Sequence, residues 1–449
     1  MKKILILLVC AALLLSGCGE KGTNNVIPPS GQEQGSVVFA QDKYAVGVGK
    51  EIQLEVRCED AGNVTYTSSS PEIASVSANG KVSGLALGKA EITAIAVSTA
   101  DASKQISAKC SVFVNPSEYE TLDGEEPLVK WLGRTFVYEN AVNCYNTASG
   151  FEMDFYGTEF RAGIVAGGVS KTPRICVLID DETSPEERII DLAKDKTENE
   201  YVLAEDLPEG QHKIRVYKIT EAYTTSLAFT SLKTDGYFLN RPADKALKIE
   251  VYGDSITAGH KNMRTTASEP ADSTDNIQNG CVTYAWLSAQ DLNAEINFMA
   301  RTGIGVYSAW GSSYVLKNNW KSTYLSEYDF LHTPLKNPEW DFTAYVPDIV
   351  LINIGTNDYW YQWNAELYKS ELKKFTDELF TLYGDDTKIV LLGGMMITGN
   401  ISAMREVADM YEDKDVSVLQ LPTSEASHPR KADNVKAAQV LTDYLKELI

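Results

Sequence analysis

Ser255 stands in the stretch IEVYGDSITAGH, where a short hydrophobic run gives way to a polar turn. A serine that ends a buried strand and opens the next helix has its hydroxyl at the rim of a sheet. Backbone N–H groups there stabilise an anion. That is a place for a nucleophile, although serine is also a common helix N-cap. A nucleophile needs a base, and histidine is the usual one near neutral pH. The chain has four histidines, His212, His260, His332 and His428. His212, in EGQHKIRVY, lies in a β-rich stretch and reads as structural. His260 follows Ser255 by five residues, too close along the chain to fold back onto its hydroxyl easily. His332 sits in a polar loop and reads as surface. His428, in EASHPRKADNV, precedes the C-terminal helix, and Pro429 stiffens its loop. A developing oxyanion needs donors. In IGTNDYW, Gly355 allows close approach and Asn357 offers a side-chain amide. In ARTGIGV, Gly303 can present its backbone N–H. Each alone is ordinary turn chemistry; all of them at strand ends, in this order, is not.

The elements that must hold these residues change character near Leu247. After it, KIEVYG, AEINFMA, DIVLINIG and KIVLLGG are short apolar runs, as expected of strands buried on both faces. Between them TYAWLSAQDL, AELYKSELKKFTDELFTLYG and KADNVKAAQVLTDYLKELI read as helices. Alternating strand and helix predicts an α/β domain with a parallel sheet, residues 247–449. Sites in such sheets lie at the carboxyl ends of the strands. Ser255, Gly303, Asn357 and the loop after Gly394 all fall there. Residues 117–246 read as β-rich, with alternation in FEMDFYGTEFRAGIVAG and regularly spaced turns that suggest a jelly-roll-like sandwich. Residues 36–116 read as short strands with turns, Asn79-Gly80 marking a hairpin. There, SSSPEIASVSANGKVSGLALGKAEITA resembles the group 2 bacterial Ig-like repeat, which implies a spacer or adhesive β-sandwich.

The blocks around Gly253-Asp254-Ser255, Gly303, Gly355-Thr356-Asn357 and His428-Pro429 resemble those of the SGNH (GDSL-type) hydrolase superfamily. The resemblance implies Ser255 as nucleophile and His428 as base. It implies an oxyanion hole from the Ser255 N–H, the Gly303 N–H and the Asn357 side chain. Asp358 reads as orienting its loop. HKIRVYKITEA, SLKTDGYFLNRP, KIEVYGDSITAG and PDIVLINIGTNDYW are further similar to carbohydrate esterase family 2, over about residues 128–449. In that family a β-sandwich leads into the SGNH domain. Its members remove acetyl groups from plant-cell-wall polysaccharides such as xylan and glucomannan. The resemblance implies two-step acyl transfer through an acetyl-serine, with no metal and no cofactor. The superfamily's orienting Asp, three residues before the histidine, is replaced here by Glu425. A glutamate has one more methylene and can still reach an imidazole; the other reading is a solvated loop glutamate beside a Ser-His dyad, an arrangement the family also includes. Sugar rings stack on aromatic faces, and Trp310, Trp320, Trp340, Tyr359, Trp360 and Trp363 crowd the loops after the second and third blocks. Core packing is the commoner fate of tryptophan. Trp360, Tyr359 and Asp254 are placed at the substrate. The polar segment 261–280 is expected to form a rim beside the site.

A net charge of -21 argues against a nucleic-acid partner and is compatible with a polysaccharide. The chain opens on MKKILILLVCAALLLSGC, a positive start, an apolar stretch too short to span a bilayer comfortably, and an LSGC that resembles a bacterial lipobox. This implies a signal over 1–18, lipidation of Cys18, export, and a membrane contact through that anchor alone. Residues 19–35 read as a flexible tether. No CxxC pair occurs, which argues against a zinc site. Cys58 and Cys110 are candidates for a disulfide, with free thiols the alternative. Two other functions stay open. One is a surface glycan-binding or adhesive lipoprotein with a degenerate esterase domain. The other is an esterase for another acyl ester, such as O-acetylated peptidoglycan.

Overall fold

The four apolar runs after Leu247 pair, together with a fifth strand that the sequence pattern does not mark, as one all-parallel sheet. Its strands are β1 (Lys248–Gly253), β2 (Glu295–Ala300), β3 (Ile349–Asn353), β4 (Lys388–Gly394) and β5 (Val416–Leu421), in the order β2-β1-β3-β4-β5. The computed structural model describes residues 36–169, 171–264, 277–332, 337–424 and 428–449. Both faces of the sheet are covered, which is why its inner strands read as mainly hydrophobic runs. Ile249 and Val251 of β1 pack with α2 (Tyr284–Asp291) and the C-terminal helix (Lys431–Leu448). Tyr252 and Ile352 pack on the other side with the long helix Ala365–Tyr383 and with Ile401–Ala408. The long helix follows from its pattern. Tyr368, Leu372, Phe375 and Leu379 recur at helical spacing and are buried, Asn364 caps its start, and Gly384 ends it.

Ahead of this domain, two six-stranded antiparallel sheets stack face to face. One holds Gly150–Gly157 and Gly210–Lys218, the other Phe160–Gly168 and Thr225–Thr234. Phe151, Met153 and Phe155 of the first interleave with Phe160, Ile164 and Phe229 of the second. The sandwich shares a core with the α/β domain, since Cys176, Leu178, Tyr217 and Ile219 pack with Ile249, Tyr284 and Trp286. A buried ion pair crosses the same boundary. Arg134, wholly buried, donates to Glu250 at 2.9 Å and to the carbonyls of Trp320 and Ser322. This explains a glutamate in the middle of an inner strand, whose second oxygen accepts from the Tyr383 hydroxyl at 2.6 Å.

Residues 36–115 form small sheets around Val46, Ile92, Ala94 and Val112, antiparallel except where Lys43–Gly47 runs parallel to Gln105–Asn115. Gly80, at φ +79°, makes the expected hairpin turn before Lys81–Gly84. Cys58 and Cys110 do not pair, because Cys58 is exposed while Cys110 points into the core. Asn115 donates its side-chain amide to the Phe238 carbonyl at 2.8 Å, which ties this domain to the sandwich.

Candidate active site

Ser255 is the first residue of α1 (Ser255–Ala258), directly beyond the end of β1. Asp254 caps this short helix by accepting from the Ile256 N–H at 2.9 Å. Gly253 has to be glycine, since a Cβ there would run into Thr257. The Ser255 hydroxyl lies 3.0 Å from Nε2 of His428. The two residues are 173 positions apart, and the fold brings them together. The His428 loop is anchored from both sides. Arg264 reaches the His428 carbonyl at 3.4 Å, the Lys431 N–H donates to the Asn262 carbonyl, and the Arg430 N–H donates to Asp433. Burial pushes the His428 imidazole down to about 4, and the charges of Lys261 and Arg264 act in the same direction. At neutral pH His428 is therefore uncharged and able to accept a proton.

The candidate oxyanion donors sit on the neighbouring strand ends. Gly303 follows β2 with φ +82°, and its carbonyl accepts from the Trp310 N–H at 2.8 Å. Asn357 opens the helix Thr356–Gln362 after β3, and its amide nitrogen donates to the Ile304 carbonyl at 2.7 Å. That bond uses one of two N–H groups and joins the two loops. Gly305 has a different task from Gly303: a Cβ there would strike Asp358 and the Ser308 carbonyl. Asp358 accepts from the N–H groups of Val306, Tyr307 and Ser308 at 2.8–2.9 Å. Its carboxylate is therefore used in holding the Gly303 loop.

Other expectations fall out differently. Asp254 is completely buried, so it cannot touch a substrate; its role is the cap, and burial pushes its carboxyl up to about 7. Trp360 is 53% exposed and Tyr359 37%, with the Tyr359 ring against Trp363. Of the other tryptophans, Trp310 is exposed and Trp320 is core. His332 is held at 3.0 Å by Asn143 and lies on the Tyr138 ring, so it joins the loop to the sandwich instead of facing solvent. His212 bonds Asp180 and the Pro208 carbonyl, inside the sandwich. Cys18, Glu425 and residues 265–276 of the expected rim lie outside the described residues. The flanks of that rim are fixed by the buried Asn262 and Asn279, which exchange hydrogen bonds at 2.7 and 3.0 Å.

His260 is the neighbour that spacing missed. Gly259, in the left-handed conformation at φ +78°, reverses the chain after one helical turn, and the His260 N–H bonds the Ser255 carbonyl at 2.9 Å. The His260 ring then packs edge-on against His428, 5.0 Å between centroids. The glycine after SITA is the signal that could have placed it.

Residues 131–242 match the family model described as carbohydrate esterase 2 N-terminal, and residues 35–106 match the group 2 bacterial Ig-like domain. The chain is 28% identical over 344 residues to the cellulase/esterase CelE of Acetivibrio thermocellus, an alignment covering 73% of this chain and 40% of that protein. The chain thus spans less than half of CelE. It is 25% identical over 255 residues to an acetylxylan esterase / glucomannan deacetylase of Cellvibrio japonicus, covering 54% of this chain and 68% of the relative. Among solved structures, a family two carbohydrate esterase from Clostridium thermocellum in complex with cellohexaose aligns with 71% of this chain and 98% of its own, at a TM-score of 0.63 and 26% identity.

Proposed function

We propose that this chain, in which a carbohydrate esterase 2 N-terminal domain precedes an SGNH-type α/β domain, removes O-acetyl groups from hemicellulose-type polysaccharides such as xylan and glucomannan. The observation that carries the reading is the 3.0 Å contact between the Ser255 hydroxyl and His428 Nε2 beside Gly303 and Asn357. Ser255 Oγ attacks the acetyl carbonyl while its proton passes to Nε2 of His428. The oxyanion of the tetrahedral intermediate faces the Ser255 N–H, the Gly303 N–H and the free N–H of the Asn357 amide. Collapse expels the sugar oxygen, which takes the proton back from His428. Water, deprotonated by the same imidazole, then releases acetate from Ser255. A Ser255–His428 dyad is the reading that a depressed imidazole supports, with Glu425 as orienting acid the alternative, and the acid limb of the pH profile distinguishes them. The exposed Trp360 face is the proposed stacking surface for a sugar ring. The names of the relatives, a cellulase/esterase and an acetylxylan esterase / glucomannan deacetylase, support the substrate class. Cys18 is the proposed lipid anchor of an exported protein.

The test is acetate release from acetylated xylan and acetylated glucomannan by the chain and by its Ser255→Ala variant. Release that falls roughly a thousandfold or more in the variant is expected. No release from either polymer by folded protein would instead favour the glycan-binding reading.

A further inference from the structure

The turn between strands Gly210–Lys218 and Thr225–Thr234 brings a carboxylate out of the β-sandwich and into the wall of the site. This is Glu221, 1% exposed. Its Oε2 accepts from the Thr302 N–H at 2.7 Å and its Oε1 from the Thr302 hydroxyl at 2.8 Å. Thr302 is the residue directly before Gly303. The same Oε1 lies 4.0 Å from Nδ1 of His260, whose ring stands against His428. One buried carboxylate therefore borders both halves of the candidate machinery, the oxyanion loop and the base.

The surroundings are built to keep it there. The Glu221 carbonyl accepts from the N–H groups of Thr224 and Thr225 and from the Thr225 hydroxyl. Lys218, fully buried at the strand end three residues before Glu221, donates to the Thr220 carbonyl at 2.6 Å. Arg301, beside Thr302, is clamped by Glu327 and lies 4.2 Å from the Tyr223 ring centroid. The Arg301 N–H also reaches the carbonyl of Gly253, two residues before Ser255. Burying a carboxylate is costly unless it is paired and hydrogen-bonded. Here the loop that must be held still supplies the donors.

We propose that Glu221 is a positioning residue for the esterase site, supplied by the β-sandwich, which fixes the Thr302–Gly303 oxyanion loop and sets a negative charge beside the His260–His428 pair. The inference rests on the esterase reading above. It gives the sandwich a part in the reaction, because the carboxylate that holds Thr302 belongs to the sandwich. The charge matters because His428 becomes an imidazolium in the transition state. The cations facing the two imidazoles are Lys261 and Arg264, with Lys171 near His260. Burial raises the Glu221 carboxyl, and the two Thr302 donors with the charges of Arg301 and Lys218 act against that rise.

The experiment compares the full chain with Glu221→Gln, Thr302→Val and Ser255→Ala, using 4-nitrophenyl acetate and acetylated xylan. Thermal melts establish that each variant is folded. Glu221→Gln is expected to lower kcat about tenfold or more with KM within about twofold. It should also move the acid limb of kcat/KM to lower pH, since removing a negative charge makes the imidazole harder to protonate. Thr302→Val keeps the side-chain shape but loses the hydroxyl donor. It should lower kcat several-fold and leave the acid limb in place. Both variants folded, with wild-type kcat and an unmoved acid limb, would overturn the proposal. If Glu221→Gln does not fold, Thr302→Val decides, and an unchanged kcat overturns it. Ser255→Ala separates the two levels. An active Ser255→Ala enzyme removes the esterase reading itself, whereas an inactive one beside unaffected Glu221 and Thr302 variants removes only this inference.

Discussion

At the scale of single residues, the site depends on a base that stays uncharged. Burial and the nearby Lys261 and Arg264 hold His428 down at about 4. The proposed reaction needs the neutral imidazole, so activity should rise as pH increases through that value. A kcat/KM profile whose acid limb lies clearly below the ordinary histidine value of about 6.5 is expected. A limb at or above that value would place a carboxylate on His428, and Glu425→Gln would then lower it. The same shift affects stability with a definite sign. Between about 4 and 6.5 the folded chain binds fewer protons at this residue than the unfolded chain. Its contribution is complete above the unfolded value and lost as pH falls through this window. Asn357→Ala should lower kcat by roughly a hundredfold or more with little change in KM, the signature of a donor engaged in the transition state. Ser255, Asn357 and His428 were legible because their residue types are scarce or sit at strand ends. His260 and Glu221 were not, since their positions follow from a left-handed glycine and a turn of another domain.

At the scale of elements, four of the parallel strands announced themselves through their apolar runs, with one exception that carries information. Glu250 interrupts β1, and its partner Arg134 lies 116 residues earlier in the sandwich. No local pattern links them. Removing one member of a buried pair leaves an uncompensated charge, so Arg134→Met should destabilise the fold by about 3–5 kcal/mol. Adding Glu250→Leu should recover part of that loss. Urea melts of the single and double variants would measure both, and additive losses would contradict a direct pairing. Of the two readings left open for Cys58 and Cys110, the free thiols hold, for a reason that sequence hides. Cys58 and Cys110 both lie in strands, but one side chain faces solvent and the other the core. Helix boundaries were clearest where caps accompany the period, as at Asn364 and Gly384.

At the scale of the whole molecule, the domains are unequally coupled to the chemistry. The sandwich shares an apolar core with the α/β domain, an ion pair through Arg134 and the Thr302 bracket through Glu221. The Ig-like domain touches the sandwich, through contacts such as that of Asn115 with Phe238, and among the described residues none of the site's hydrogen bonds comes from it. A chain beginning at Ser117 should therefore keep the kcat for 4-nitrophenyl acetate, while one beginning at Leu247 should fail to yield soluble active protein. Loss of small-ester activity on removing the Ig-like domain would contradict this division. Trp360→Ala should raise KM for acetylated polymer by up to roughly tenfold and leave the small ester unaffected, as expected of a surface that binds sugar. The domain order was visible from composition and alternation, whereas the contacts between domains were not, because they join residues far apart in the chain. The central claim is that Ser255 becomes acylated. Its most direct test is an acid-quenched reaction with 4-nitrophenyl acetate, followed by peptide mapping by mass spectrometry. The account predicts an acetyl group on the Ser255 peptide, absent in Ser255→Ala. Turnover in the wild-type chain with the acetyl group on another residue, or undiminished turnover in Ser255→Ala, would contradict it.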